Sequence, residues 1–251
     1  MSMQNKLLVR NLEVIYEKNG KKLKAVENIN FNVKENEFLC IIGPSGCGKT
    51  TILNTIAGFV NPIKGDILLN GRKITEPTKE IGVVFQHNAL FPWMTVKENI
   101  TIGPQINRFS KSKIRKISHY YLDLIGLEKY AKYYPNELSG GMQQKVAFAR
   151  TLANNPEIIL MDEPFSHLDA LTRKELYEQL LKILNKHKKT IIFVTHDIDE
   201  ALVLSDRILV MNKSPGKIKK DVKNNLPRPR TYKSTTSSDF IKLKKKIMSL
   251  L

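Results

Sequence analysis

Hydrophobic positions divide the chain into a β-rich start, a helical middle and an alternating strand–helix end. Leu7 and Val9, and again Leu12, Val14 and Tyr16, repeat with the period of two that marks a half-buried strand. Glu17–Lys22, with Asn19-Gly20 inside it, predicts a hairpin, and Leu23–Val33 returns as a second strand. Phe38-Leu39-Cys40-Ile41-Ile42 is apolar throughout, which fits a strand covered on both faces. Ile52–Ala57 changes to helical spacing and stops at Gly58. A turn at Asn61–Asp66 leads into Ile67-Leu68-Leu69 and the hairpin signal Asn70-Gly71, and Ile81–Phe85 is a short buried strand ending at Gln86.

From residue 87 to about 155 the strand signal fades. Pro92, Trp93, Pro104 and Pro135 punctuate a region in which Ile114, Ile117, Tyr121, Leu124 and Ile125 fall three and four apart, an amphipathic helix. Leu138-Ser139-Gly140-Gly141-Met142 opens another helix that runs to Ala153, with Ser139 as its N-cap. Ile158–Met161 then predicts a central parallel strand, Ser166–Asp169 the cap of a helix over 170–186, and Thr190–Thr195 a further buried strand. Asp197–Leu204 is a short helix, Arg207–Met211 the last core strand and Pro215-Gly216-Lys217 a turn. Leu226–Arg230 is held extended by its prolines. Asp239–Leu251 puts Phe240, Leu243, Ile247 and Leu250 on one face and is an amphipathic helix, suited to packing on its own domain or to touching a membrane surface. The pattern as a whole is α/β, with an antiparallel β subdomain and a helical subdomain inserted at about 87–155.

Composition narrows the class. At 41% apolar and 26% charged the chain is globular, and no apolar run approaches the ~18 residues of a membrane span. The start lacks the apolar core of a secretory signal, and the two cysteines suit a reducing compartment, so the expected location is the cytosol. A net charge of +17 permits an anionic partner. Its main concentrations, Arg108–Lys116 and Lys213–Lys246, do not interleave aromatics as a single-strand platform does, and read as solvated lysine faces.

Between the third strand and the first helix lies Gly43-Pro44-Ser45-Gly46-Cys47-Gly48-Lys49-Thr50-Thr51. Strand, glycine-rich turn and helix are the context that the phosphate-binding P-loop requires. Its glycines let backbone N–H groups converge on an anion, and the helix start adds unpaired donors. Lys49 would reach the β- and γ-phosphates of a nucleotide and the Thr50 hydroxyl would hold Mg²⁺. Cys47 lies inside this loop, where oxidation or alkylation is expected to block the nucleotide. Asp162-Glu163 ends the central parallel strand, where α/β sheets bind ligands. Asp162 suits the metal shell and Glu163 a general base acting on water. Gln86 is either a magnesium or water ligand or a solvated loop amide. His196, ending a neighbouring strand, is either a γ-phosphate contact or structural. Tyr16 is either an adenine platform or an ordinary strand residue, and Ser139-Gly140-Gly141 either a second anion nest or a capped helix start.

In order along the chain, these motifs resemble the ATP-binding subunit of an ABC transporter: P-loop Gly43–Thr51, glutamine loop Gln86, signature Leu138–Met142, Walker B Asp162 and Glu163, D-loop Ser166–Asp169 and switch His196. The resemblance implies a P-loop NTPase (RecA-like) core over residues 1–230, followed by a basic tail at 231–251. It implies ATP and Mg²⁺ as ligands, Tyr16 as the adenine-stacking aromatic, and a catalytic set of Glu163, His196 and Gln86. Magnesium would lie among Thr50, Gln86 and Asp162. It further implies a head-to-tail dimer in which ATP on Lys49 and Thr50 of one copy is capped by Ser139, Gly140 and Gly141 of the other, with Asp169 signalling across the interface.

Phe85–Trp93, Asp162–Phe165, Val194–Ala201 and Leu226–Arg230 resemble more narrowly the subunits serving nitrate, sulfonate and taurine importers, a pattern shared with those for thiamine-pyrimidine precursors. This implies integral membrane permease partners gripped near Phe91, Pro92 and Trp93, a periplasmic or lipid-anchored solute-binding protein, and a peripheral position on the cytoplasmic face of the membrane. Nucleic acid is not expected. The alternative, a soluble ABC ATPase acting on nucleic acid, is favoured slightly by the charge but opposed by a single cassette without coiled-coil heptads or cysteine pairs. Departures from the family pattern are Asn36 in place of a glycine, His167 in place of a small D-loop residue, and Gln144-Lys145 after the signature. The basic tail is too short to build a regulatory domain of the sugar-importer kind.

Overall fold

The computed structural model describes every residue except 1–4, 19, 87–88, 167, 170–171, 174–175, 179, 182–187, 214 and 231. His167 and much of the helix expected over 170–186 lie outside the described residues, although Thr172, Arg173 and Leu176–Glu178 are helical. The chain forms two compact units. The first comprises Met1–Thr78, Leu160–Glu163 and Lys188–Leu251, the second Lys79–Ile159 and Pro164–His187.

In the first unit the expected hairpin is β1 (Asn5–Lys18) and β2 (Lys21–Lys34), paired antiparallel and carrying several bulges. With β4 (Lys64–Leu69) and β5 (Arg72–Lys73) it forms a four-stranded sheet in the order β2-β1-β4-β5. A second sheet is built on β3 (Phe38–Ile42), which is buried along its whole length and pairs in parallel with both β8 (Thr190–Thr195) and β9 (Arg207–Asn212). β7 (Ile158–Asp162) begins in the second unit and ends in the first, beside β8.

Arg207–Met211 is not the last strand, as the pattern had suggested. β10 (Lys217–Lys223) pairs antiparallel with β9 and forms the edge of the sheet. Its lysines hide the strand in the sequence: only Val222 is fully buried, and Lys217, Lys219, Lys220 and Lys223 are exposed.

Helix α1 (Lys49–Ile56) follows the phosphate loop, and its Ile52, Leu53 and Ile56 are buried. Helix α5 (Ile198–Leu204) starts at the Asp197 cap, and its C-terminal carbonyls are met by an arginine from the proline-rich segment. The Arg230 guanidinium donates to the carbonyls of Leu226, Asn224, Leu202 and Ser205, and burial lowers its pKa to about 10. The C-terminal amphipathic segment is α6 (Ser238–Met248), capped by Ser237. It lies on α5 with Phe240 and Ile247 buried, and Lys244 reaches Asp199 of α5 at 2.7 Å. Of its two sequence readings, packing within its own unit is the one found.

In the second unit β6 (Ile81–Val84) is followed by α2 (Val96–Ile106), α3 (Lys111–Ile125) and α4 (Gly140–Ala153). Pro104 does not interrupt α2 but sits buried inside its last turn, and a Thr95–Glu98 capping box starts the helix. Val96, Ile100, Leu122, Ile125, Val146 and Ala149 join the three helices in one core. Asn99, fully buried, accepts from the Phe91 N–H and donates to the carbonyls of Phe91, Met94 and Thr95. It thereby fixes the loop that presents Trp93, 69% exposed, with the Phe91 ring 5.5 Å away.

Candidate active site

The phosphate loop is shaped by two glycines with separate reasons to lack a side chain. Gly48 has φ +93°, which disfavours any Cβ, and a Cβ there would also meet Val26 at 2.4 Å. A Cβ on Gly43 would meet Cys47 Sγ at 2.7 Å and the Met211 carbonyl at 2.9 Å. Gly216, read from sequence only as part of a turn, supports the loop from below. A Cβ there would meet the Cys47 carbonyl at 2.0 Å, and its own N–H and carbonyl bond Ala25 and Glu27 of β2. The Pro215-Gly216 dipeptide signals a turn. Nothing in it signals contact with Cys47, Ala25 and Glu27, far back in the chain.

Lys49, the first residue of α1, is buried. Its Nζ donates to the carbonyls of Gly43 (2.9 Å) and Pro44 (3.2 Å) and lies 3.9 Å from Glu163 Oε1. The Thr50 hydroxyl donates to Asp162 Oδ1 at 3.2 Å. Burial raises the Asp162 pKa, an effect the Thr50 hydrogen bond opposes and the Glu163 charge reinforces. A hydroxyl and a carboxylate within hydrogen-bond distance at the head of a helix are the hard oxygen donors that Mg²⁺ takes, so this pair fits the ion.

Glu163 leaves β7 with φ +40°, a backbone conformation rare outside glycine, and its N–H bonds the Val194 carbonyl of β8. Its carboxylate is thereby turned toward both Lys49 and His196, whose Nδ1 lies 2.7 Å from Glu163 Oε2. Tyr16, at the end of β1, is part-exposed, with its hydroxyl 3.5 Å from the Thr51 hydroxyl. Lys49, Thr50, Asp162, Glu163, His196 and Tyr16 thus gather in the first unit, around the mouth of one loop.

The Cys47 thiol is buried beneath the loop, and burial raises its pKa, with Lys49 opposing. Little thiolate is therefore available to an alkylating agent.

Gln86, Ser139, Gly140 and Gly141 belong to the second unit. There the Ser139 hydroxyl accepts from the Met142 N–H at 3.3 Å and caps α4. A Cβ on Gly141 would come within 2.6 Å of Thr172 Cγ2, so that helix start is packed too closely for alanine. Asp169 caps the next helical residues, accepting from the Thr172 N–H at 3.0 Å. Gln86 is half-buried, two residues past the end of β6, which stops at Val84 and leaves Phe85 exposed outside it.

A buried lysine in a glycine loop, a hydroxyl–carboxylate pair and a carboxylate–imidazole pair together define a nucleotide-triphosphate site of the P-loop class. Residues 26–166 match the ABC transporter family. Over 99% of its length the chain is 51% identical to an uncharacterized ABC transporter ATP-binding protein of Methanocaldococcus jannaschii, covering 92% of that relative. It is 45% identical over 93% of its length to an aliphatic sulfonates import ATP-binding protein of Bacillus cereus, covering 90% of it. Among solved structures, a dimeric post-hydrolysis state of an ATP-binding cassette bound to ADP and Pi superposes with a TM-score of 0.76 at 35% identity, over 88% of this chain and all of that one. The chain belongs to the ABC transporter family. It is an ATP-binding subunit of that family and an ATPase.

Proposed function

We propose that the chain hydrolyses Mg-ATP between two copies of itself to drive a membrane importer. The observation carrying this reading is the Glu163 carboxylate held between the Lys49 ammonium and the His196 ring. Lys49 binds the β- and γ-phosphates within the Gly43–Thr51 loop, and Tyr16 stacks on the adenine. Magnesium would be held by Thr50 and Asp162, with Gln86 the further ligand that the family resemblance implies, and would supply charge neutralisation at those phosphates. Glu163 takes the proton of the attacking water, and His196 contacts the γ-phosphate and keeps Glu163 oriented. Ser139, Gly140 and Gly141 of a second, head-to-tail copy cap the same triphosphate, so loss of the γ-phosphate releases the dimer. Gln86 relays that release to the helical unit.

The sulfonate-import relative supports an importer for nitrate, sulfonate, taurine or a similar small solute. The partners would be a membrane permease held near Phe91, Pro92 and Trp93 and a solute-binding protein outside the membrane, with this subunit on the cytoplasmic face. Glu163→Gln tests the core of the reading. The variant should bind ATP and form a stable dimer while turnover falls by about 10²- to 10⁴-fold. Full turnover would remove Glu163 as the base. Co-purification of wild type with nucleic acid instead of a membrane permease would remove the transport role.

A further inference from the structure

His196 stands two residues before α5, directly ahead of its Asp197 cap, and the backbone on both sides of it is tied down by side chains. Thr195, buried at the end of β8, donates from Oγ1 to Glu200 Oε2 at 2.5 Å and accepts the Asp197 N–H at 3.0 Å. Asp197 in turn accepts the N–H groups of Asp199 (2.8 Å) and Glu200 (3.2 Å). Glu200 is only 4% exposed. Its neighbours along α5, Ala201, Leu202, Val203 and Leu204, are buried and apolar, so an apolar residue at 200 would suit helix packing at least as well. A carboxylate in such a place is costly unless its hydrogen bonds are made. Here one of them runs to the residue directly before His196.

We propose that Glu200 is a positioning residue for ATP hydrolysis. Its carboxylate orients the Thr195 hydroxyl, the hydroxyl holds the Asp197 N–H, and the two ties fix the backbone that carries the His196 ring toward Glu163. The proposal rests on the reading of His196 as a γ-phosphate contact. A ring swung away by a loosened backbone costs rate more than nucleotide affinity, because Lys49 and the phosphate loop still hold ATP.

The test uses the full chain, with kcat and KM for ATP measured beside the ¹⁵N resonances of the labelled histidine rings. His196 is assigned by the signal lost in His196→Ala. Thr195→Val and Glu200→Leu should each lower kcat by about 10- to 100-fold, with KM changed by less than about twofold. Both should shift the His196 Nδ1 resonance, and the double variant should be no slower than either single one. Thr195→Ser and Glu200→Gln keep the hydroxyl and the acceptor, and should stay close to wild type. Where a single variant fails to fold, the Thr195→Val/Glu200→Leu pair is read instead, since it leaves neither polar partner buried alone. A folded variant without the link that keeps the wild-type His196 resonance and kcat overturns the proposal, as does equal loss in the conservative pair. If His196→Ala itself turns over normally, the γ-phosphate reading fails, and the resonance in Thr195→Val still decides the positioning.

Discussion

Five of the eight non-glycine residues with positive φ among the described residues are asparagines, the side chain that tolerates the left-handed region best. Asn36, where the resembling family carries glycine, is one of them, at φ +61°. Its N–H bonds the Thr190 hydroxyl at 3.0 Å, which fixes the entry to β3. Asn36→Gly should therefore leave thermal unfolding nearly unchanged, whereas Asn36→Ala should cost about 1–2 kcal/mol. Equal melting of the two variants would show that conformation does not matter there. At this scale the sequence discloses which residues carry the chemistry, because a P-loop and a strand ending in two acids are local patterns. It does not disclose what aims them. The positive φ of Glu163, the support of Gly216 under the loop and the burial of the Cys47 thiol all depend on neighbours distant in the chain.

Patterned elements were legible: the β1–β2 hairpin, α3 and α6 fall where alternation or three-and-four spacing puts them, and β3 where its unbroken apolar run does. β10 was not, because an edge strand needs few apolar contacts and its lysines imitate a solvated loop. That strand matters to the sheet beside it. Glu27 of β2 pairs with Lys217 of β10 at 2.8 Å and with Lys24 at 2.7 Å. These partners, Lys217 foremost, lower the Glu27 pKa from 4.5 to about 2. A carboxylate whose folded pKa is depressed stabilises the fold above its unfolded value and loses that contribution as pH falls through the folded one. Glu27→Gln should thus flatten the fall in stability between about pH 4.5 and pH 2, measured as urea midpoints against pH. An acid limb identical to wild type would show the ion pair to be idle.

On the scale of the whole chain, the C-terminal helix belongs to the first unit and is not a free arm. Phe240 is 1% exposed, and Phe240→Ala should cost about 3–5 kcal/mol of that unit's stability, read by chemical denaturation. A loss under about 1 kcal/mol would mean that α6 docks only weakly. The division into two units could not be read from hydrophobic period alone. Residues 160–163 return to the first unit within a strand that starts in the second, so the boundary runs through β7 and not through a loop. The charge of +17 takes on a structural sense here as well, since β10 concentrates four lysines along the outer rim of its sheet. Ammonium groups spaced along that rim repel any like strand laid beside it. Addition of a second copy at this flank, and growth into a ribbon from it, is therefore disfavoured, and self-recognition is left to surfaces that can come apart again.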